Sequence, residues 1–390
     1  MDKWPSITVG ELVDRRIETV AIEADTMYDT LGVRWYGRGA YLRRSSRPRA
    51  KTLNRARTGD FVFCRIDAQN GPFAVVPPAL DGALATNEFP LYTVDEDELD
   101  ARFLALCFSS QNTLDKIGKL REGRDGRARW KEADFESWVV PHPPTIIQRL
   151  IVDIISVMDD SVAATEQEAE RLATILKIRR SDLANDLQFT SVPAGEAFNI
   201  RLGRQRSPDR ASGPSMTPYL RSGNVGPDIL RLDDVMSMDF NERERERYAL
   251  REGDVLVSEG SAGDAAVGMP ATWRGEIAGP VCFQNTLLRY RAIVDITMPE
   301  FLRHWCLWAF ESGSFRDTAP AQVNIKHIGD KRAKQMAVRL PAMNEQEAIV
   351  AELDPLSNAV ASLRAEAERL RLARFALLDA ILAGNVNLLR

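Results

Sequence analysis

Histidine and cysteine are scarce: the 390-residue chain holds three of the first and four of the second. Cys64, Cys107, Cys282 and Cys306 never form a C-x-x-C pair, and only His142, His304 and His327 could supplement them. A tetrahedral zinc site would need a coincidence of distant ligands, so no metal and four buried, reduced thiols are expected. No apolar run reaches the roughly 18 residues that cross a bilayer. The start, Met1-Asp2-Lys3-Trp4-Pro5, has no basic stretch followed by an apolar core, so a cytoplasmic protein without membrane association is expected. Catalytic signatures are missing too. There is no GxxxxGK[ST] phosphate loop, which excludes a motor. The prolyl pairs Pro77-Pro78-Ala79 and Pro143-Pro144-Thr145 lack the following aromatic of an amino-methyltransferase. No spaced Asp…Glu-x-Lys cluster suggests a metal nuclease. Gly260-Ser261-Ala262-Gly263 is a weak glycine loop and reads as a turn. The expectation is a non-catalytic chain without cofactor.

What is present is an ordinary globular composition, 44% hydrophobic and 27% charged, with a formal net charge of −5. The charge is unevenly spread, and distribution matters more than its sum. Arg34, Arg38, Arg43, Arg44, Arg47, Arg49, Lys51, Arg55 and Arg57 follow one another with no acidic residue among them. Acid gathers elsewhere, as in Asp95-Glu96-Asp97-Glu98.

A repeat organises the sequence. Ile151, Ile155, Met158, Val162, Thr165, Ala169, Leu172, Leu176, Arg179 and Leu183 alternate spacings of four and three, the seam of a coiled coil. Ile349, Leu353, Leu356, Val360, Leu363, Ala367, Leu370, Arg374, Leu377 and Ile381 repeat that alternation, each 198 positions after its counterpart. Arg179 and Arg374 interrupt the apolar stripe as long stems that can snorkel. At the same offset of 198, Val140-x-x-Pro143 matches Val338-x-x-Pro341, Gln148 matches Gln346, Asn87 matches Asn285 and Phe103-Leu104 matches Phe301-Leu302. Gly59-Asp60-Phe61-Val62 resembles Gly253-Asp254-Val255-Leu256 at an offset of 194.

The chain therefore reads as a duplication: a globular domain at 1–142, a long helix at 143–188, a second globular domain at 189–340 and a second helix at 341–390. Pro143-Pro144-Thr145 sets the first helix start, with the threonine as a possible cap, and Gly384-Asn385 stops the second helix. Pro355 is placed to kink the second helix. Each helix would extend roughly 60 Å at 1.5 Å per residue, and the pair would pack antiparallel with a globular domain at each end. Short β-branched and aromatic runs such as Phe61–Cys64 and Val255–Ser258, with helices at Phe103–Phe108 and Glu300–Phe310, give each domain a mixed α+β character.

These features, taken in order, resemble the specificity subunits of type I restriction-modification systems. The carriers are Leu340-Pro341-Ala342-Met343-Asn344-Glu345-Gln346, Tyr219-Leu220-Arg221-Ser222-Gly223-Asn224-Val225, Glu252-Gly253-Asp254-Val255-Leu256-Val257-Ser258 and Gln322-Val323-Asn324-Ile325. In the first domain they are Gly32-Val33-Arg34-Trp35-Tyr36-Gly37-Arg38-Gly39 and Thr86-Asn87-Glu88-Phe89-Pro90. The first helix departs from the pattern, starting Pro144-Thr145-Ile146-Ile147-Gln148 with no glutamate before the glutamine. The resemblance implies a non-enzymatic subunit whose two domains each read half of a split site on double-stranded DNA. It implies two copies of a methyltransferase subunit and a motor-nuclease subunit as partners. The alternative is a DNA-reading scaffold of another multi-subunit defence assembly, since the effector would lie in other chains.

Candidate DNA contacts follow from side-chain chemistry. Lysine and arginine neutralise phosphate, which singles out Arg34, Arg38, Arg43, Arg44 and Arg47, interleaved with Trp35, Tyr36 and Tyr41. A second basic stretch holds Lys116, Lys119, Arg121, Arg124, Arg127, Arg129 and Lys131. In the second domain, Arg201, Arg204, Gln205, Arg206 and Arg210 read as part of a loop whose forked donors suit base edges. Arg221, Ser222 and Asn224 read either as DNA contacts or as a structural turn. Gln322, Asn324 and Lys326 complete the candidates, and the alternating run Asn241–Arg247 reads as a solvated face.

Overall fold

The computed structural model describes residues 4–23, 25–48, 50–120, 129–261, 266–319 and 326–386. The chain forms two compact units, one of residues 1–166 with 365–390 and the other of 167–364. Each unit combines one globular domain with half of each long helix, so the tail of the chain belongs with its beginning.

In the first unit a four-stranded sheet is ordered β1 (Val13–Arg15), β6 (Leu91–Val94), β4 (Phe61–Phe63), β5 (Phe73–Val75). Gly59 takes a φ of +88° and turns the chain into β4, whose three residues are all buried. Behind it, α1 (Ala101–Ser109) is capped by the Asp100 carboxylate, which accepts from Arg102 N. Phe61, Phe63, Phe73, Phe108 and Phe135 stack against one another with centroids 4.8 to 6.4 Å apart. A second, five-stranded sheet contains the hairpin of β2 (Tyr28–Val33) and β3 (Ala40–Ser46), with β3 at its edge.

The second unit repeats the four-stranded sheet strand for strand: β7 (Phe198–Leu202), β10 (Leu287–Ala292), β8 (Val255–Ser258), β9 (Pro270–Thr272). Its helix α3 (Pro299–Glu311) lies over a core of Phe198, Tyr290, Trp305 and Phe315.

The duplication reaches individual hydrogen bonds. Gln148 is fully buried at the start of α2 (Thr145–Ala184); its Oε1 accepts from Asp100 N, and its Nε2 donates to the carbonyls of Glu98 and Pro143, all at 2.9 Å. Gln346, fully buried at the start of α4 (Met343–Leu382), accepts from Met298 N at 2.9 Å and donates to the carbonyls of Ile296 and Pro341 at 2.8 and 3.0 Å. Every partner stands 198 positions after its counterpart. One glutamine thus fastens each helix to the helix-capping loop of its domain by satisfying backbone groups that burial would otherwise orphan. Asp60 and Asp254, each 1% exposed, likewise accept from the backbone N of Arg57 and Arg251 at 2.8 Å.

Both long helices keep their predicted seams buried or half-buried throughout the described positions. In the first unit Ile151 and Ile155 share a core with Leu378 and Ile381, and Arg374 binds Asp159 through Nε at 2.8 Å. With Arg371 against Glu166, these contacts run in opposite chain directions, so the helix halves are antiparallel. The second unit does the same with Arg364 on Glu170 and Arg179 on Glu352, around Leu176, Ile349 and Leu353.

Several expectations need correction. Thr145 is the first helical residue and not a cap; the carbonyl of Pro144 accepts from Ile147 and Gln148. Arg201 belongs to β7 and not to a loop. Cys107, Cys282 and Cys306 are buried, but Cys64 is half-buried; burial raises all four thiols.

In the second unit a buried histidine ties α3 to both helix halves. Arg180 Nε donates to His304 Nδ1 at 3.2 Å, so His304 Nε2 carries the proton and faces Asp354 Oδ1 at 2.8 Å. Burial, reinforced by Arg180 and Arg303 and opposed by Asp354, holds the imidazole below its ordinary 6.5. The unfolded chain therefore takes up this proton more readily. Its contribution to stability is present above about pH 6.5 and is lost as pH falls through the lower folded value. Denaturant melts of wild type and His304→Gln between pH 7.5 and 5 should diverge, the wild type losing stability more steeply as acid is added. Parallel curves would mean that His304 does not set this pH dependence.

Candidate nucleic-acid interface

The tip of the β2–β3 hairpin carries Arg34, Trp35, Tyr36 and Arg38. Tyr36 and Gly37 both adopt left-handed backbone, at φ +61° and +65°. This costs little at glycine and more at tyrosine, and it is held by Tyr36 N to Asn70 O at 2.7 Å and Gly37 N to Gly71 O at 3.0 Å. The anchored turn leaves Trp35 and Tyr36 47% and 59% exposed, edge to face at 6.3 Å. They are surface aromatics, not core. Arg34 lies 4.6 Å from the Tyr41 ring centroid. Gly32 permits this crossing, because a Cβ there would meet that ring at 2.8 Å.

The start of the second basic stretch borders the same surface, whereas residues 121–128 lie outside the described residues. Gly71 packs against Leu114 and the Tyr36 backbone, and Gly118 against Gln69. The helix Gln111–Lys119, with exposed Lys116 and Lys119, thereby lies beside the loop that holds the hairpin tip.

The basic run is less bare than the sequence suggests, because acids distant in sequence supply counter-charge. Arg57 binds Glu18 at 2.6 Å and lies 3.7 Å from Asp81, Arg55 lies 3.6 Å from Glu18, and Arg47 lies 3.4 Å from Asp25. Hydrogen bonding from Arg57 holds Glu18 below the usual carboxylate range. Arg38, Arg43 and Lys51 are exposed and have no ion-pair partner among the described residues, and Arg34 has only the tyrosine ring. Arg129 is exposed but binds Glu88 at 2.5 Å. Arg49, Arg124 and Arg127, and the side chain of Arg44, lie outside the described residues.

In the second unit most candidates are committed elsewhere. Arg204 binds Glu244 at 2.8 Å, donates to Asp239 O at 2.9 Å and covers the Phe240 ring, leaving its side chain 11% exposed. It is therefore a packing residue in this structure, and Glu244 ties the helix Glu242–Tyr248 to it. Arg210 binds Asp239, whose carboxyl is held low by Ser215 N and then by Arg210. Asn224 is 2% exposed; its amide donates to the carbonyls of Arg231 and Asp234 and its oxygen accepts from Arg221 N. That is a structural turn. Arg221 binds Asp234, and Ser222 N donates to Thr286 Oγ1. Gln205 and Arg206 remain exposed and without partners among the described residues. Gln322, Asn324 and the side chain of Lys326 lie outside them; the Lys326 backbone pairs with Ser261.

No group of residues suited to hold a metal ion occurs among the described residues, nor any helix long and apolar enough to cross a membrane.

No protein-family model matches the chain. Over 284 residues it is 25% identical to the type I restriction enzyme EcoKI specificity subunit of Escherichia coli strain K12, covering 65% of this chain and 58% of that protein. The match thus spans less than two thirds of that relative's length. A chain from a structure of the type I R-M system, on its complex assembly and conformational transition, matches with a TM-score of 0.61 and 17% identity over 98% of each chain. The S subunit of the type I restriction-modification system from M. genitalium matches with a TM-score of 0.56 and 15% identity, over 96% of this chain and 95% of that one. The resemblance carried by the sequence motifs is borne out, and the fold is shared.

Proposed function

We propose that this chain is a non-catalytic DNA-reading subunit of a type I restriction-modification complex. The domains at 1–142 and 189–340 each read one half of a split duplex site, and the helices at 143–188 and 341–390 set the distance between the halves. The observation that carries this reading is a repeated frame with unrepeated surfaces. Gln148 and Gln346 fasten both domains identically, whereas the exposed residues of the hairpin tip in one and of Gln205 and Arg206 in the other share no pattern. A duplicated scaffold with divergent faces suits two different half-sites. A methyltransferase subunit, in two copies, and a motor-nuclease subunit would supply the chemistry.

In the first domain the unpaired cations would hold phosphate, and exposed Trp35 and Tyr36 would lie at the duplex. Replacing Arg34, Arg38 and Arg43 together by alanine should flatten the plot of log affinity against log salt by about 0.9 for each lost phosphate contact. Arg57→Ala, already neutralised by Glu18, should leave the slope unchanged. In the second domain Gln205 and Arg206 are the residues to read base edges, and loss of one bidentate contact should cost ~1–3 kcal/mol at one base pair. Duplex titrations at several salt concentrations decide the first point, and competition between single-base variants the second. A triple variant that binds with wild-type affinity and slope would remove the hairpin from the interface.

A further inference from the structure

Arginines crowd the outer face of the four-stranded sheet in the second unit. Side chains alternate along a strand, so Phe198, Ile200, Leu288 and Tyr290 point into the core while Asn199, Arg201, Arg289 and Arg291 point the other way. Arg201 and Arg289 are direct cross-strand partners. Like charges in that position repel. Above them opens a cleft of about 300 Å³, rimmed by Arg247 and Arg251 and lined by a single acid, Glu246.

Of the two carboxylates nearby, Glu246 forms no ion pair among the described residues, and the other is already taken. Asp254 takes a bidentate bond from Arg291, both contacts at 2.6 Å. Arg289 is 3% exposed; one terminal nitrogen donates to Asn199 Oδ1 at 2.6 Å, and its Nε has no partner among the described residues. Burial, then Arg291, pushes its guanidinium down to about 10. Arg201, Arg247 and Arg251 have no ion pair among the described residues either. A buried guanidinium with an orphaned Nε–H, beside three arginines without ion pairs among the described residues, is a costly grouping of like charge unless an anion offsets it.

The first copy shows what the face is without such a site. There the position 198 before Arg289 is Leu91, and the one before Arg291 is Thr93. Opposite Leu91 stands Arg16, whose N donates to Leu91 O, and its guanidinium binds Asp60 at 2.6 Å. In the second copy Arg291 has taken over the aspartate. Arg201, standing where Arg16 stands, is released beside an arginine that replaces a leucine.

We propose that this face of the second unit is a binding site for a phosphate group, with Arg201 and Arg289 as its floor and Arg247 and Arg251 as its rim. Guanidiniums approach from two strands, a helix and a turn, and this multidirectional set of forked donors suits a tetrahedral oxyanion better than a planar carboxylate. The group is either a backbone phosphodiester of bound DNA, which rests on the function proposed above, or a free phosphate.

The test uses the full chain with inorganic phosphate, chloride at equal ionic strength being the control. Phosphate should raise the melting temperature of the second unit by ~3–6 °C at saturation. Arg201→Gln, at a half-exposed position, and Arg289→Leu, which restores the residue of the first copy, should abolish most of that shift. In duplex titrations, a salt slope reduced by about 0.9 in Arg201→Gln, with phosphate competing against DNA, assigns the site to the DNA backbone. An unchanged slope alongside the lost phosphate shift assigns it to a free phosphate. Equal shifts in wild type and variants, or no shift and no change of slope, overturn the proposal. Failure of the wild type to bind any duplex would count against the proposed function, while the phosphate arm would still judge the cleft.

Discussion

Replacing Gln346 by leucine is expected to cost the second unit about 3–5 kcal/mol, far more than the ordinary surface substitution. The side chain is fully buried and satisfies Met298 N and the carbonyls of Ile296 and Pro341. Leucine has similar bulk but no polar atoms, so three buried backbone groups lose their partner at once, at roughly 1–3 kcal/mol each before relaxation. Gln148→Leu should cost the first unit somewhat less, because His142 Nε2 also reaches the Glu98 carbonyl at 3.0 Å. Glu347→Leu, exposed on the next position, is the control and should change stability by less than about 0.5 kcal/mol. Urea unfolding of the three variants checks the order. A Gln346→Leu protein as stable as the control would mean that the glutamine does not fasten the helix.

Removing residues 365–390 is expected to unfold the first globular domain while leaving the second folded. The reason lies in which core the end of α4 completes. Leu378 and Ile381 are fully buried in the same cluster as Phe103, Phe108 and Ile151, and Trp4 Nε1 donates to the Ile381 carbonyl at 2.9 Å. Loss of one such aliphatic side chain costs ~2–5 kcal/mol, and losing both with the Arg374–Asp159 pair is on the scale of the ~5–15 kcal/mol that a domain holds in reserve. Residues 167–364 lose no contact of their own unit. Hydrogen exchange should therefore report protection lost in 4–142 and kept in 189–340. Uniform loss, or none, would contradict the division into two units. By the same reasoning Leu172→Asp and Leu370→Asp, at half-buried seam positions, should cost less than Leu378→Asp.

The frame was legible in the sequence because a duplication writes each constraint twice. The seams, Gln148 with Gln346, and the Gly-Asp turns before β4 and β8 stand at fixed offsets, and a buried glutamine repeated at a helix start signals a role before its partners are known. What was not legible depends on contacts between distant residues. Nothing local to Arg55 and Arg57 announces Glu18, nor does the loop around Arg204 announce Glu244 on a later helix, so charge counted along the chain overstated the free cations. Asn224 could be read as a DNA contact or as a structural turn, and only the three backbone groups around it decide for the turn. Arg201 looked like a loop residue because Leu202-Gly203 hides the end of β7. The point along α4 where the chain passes from the second unit to the first also has no local signature, since its seam looks alike along its length.

If each domain reads its own half-site and the helices set the gap, as proposed above, a change of helix length should move the gap alone. Seven residues inserted into each helix, at 166/167 and 364/365, keep both seams in register and add about 10 Å. The measurement is the DNA motif modified in a host carrying the altered chain with its partner subunits. Both half-sites should stay unchanged and the gap between them should widen, by up to about three base pairs at ~3.4 Å each. An unchanged gap with a functioning complex, or altered bases within either half-site, would contradict it.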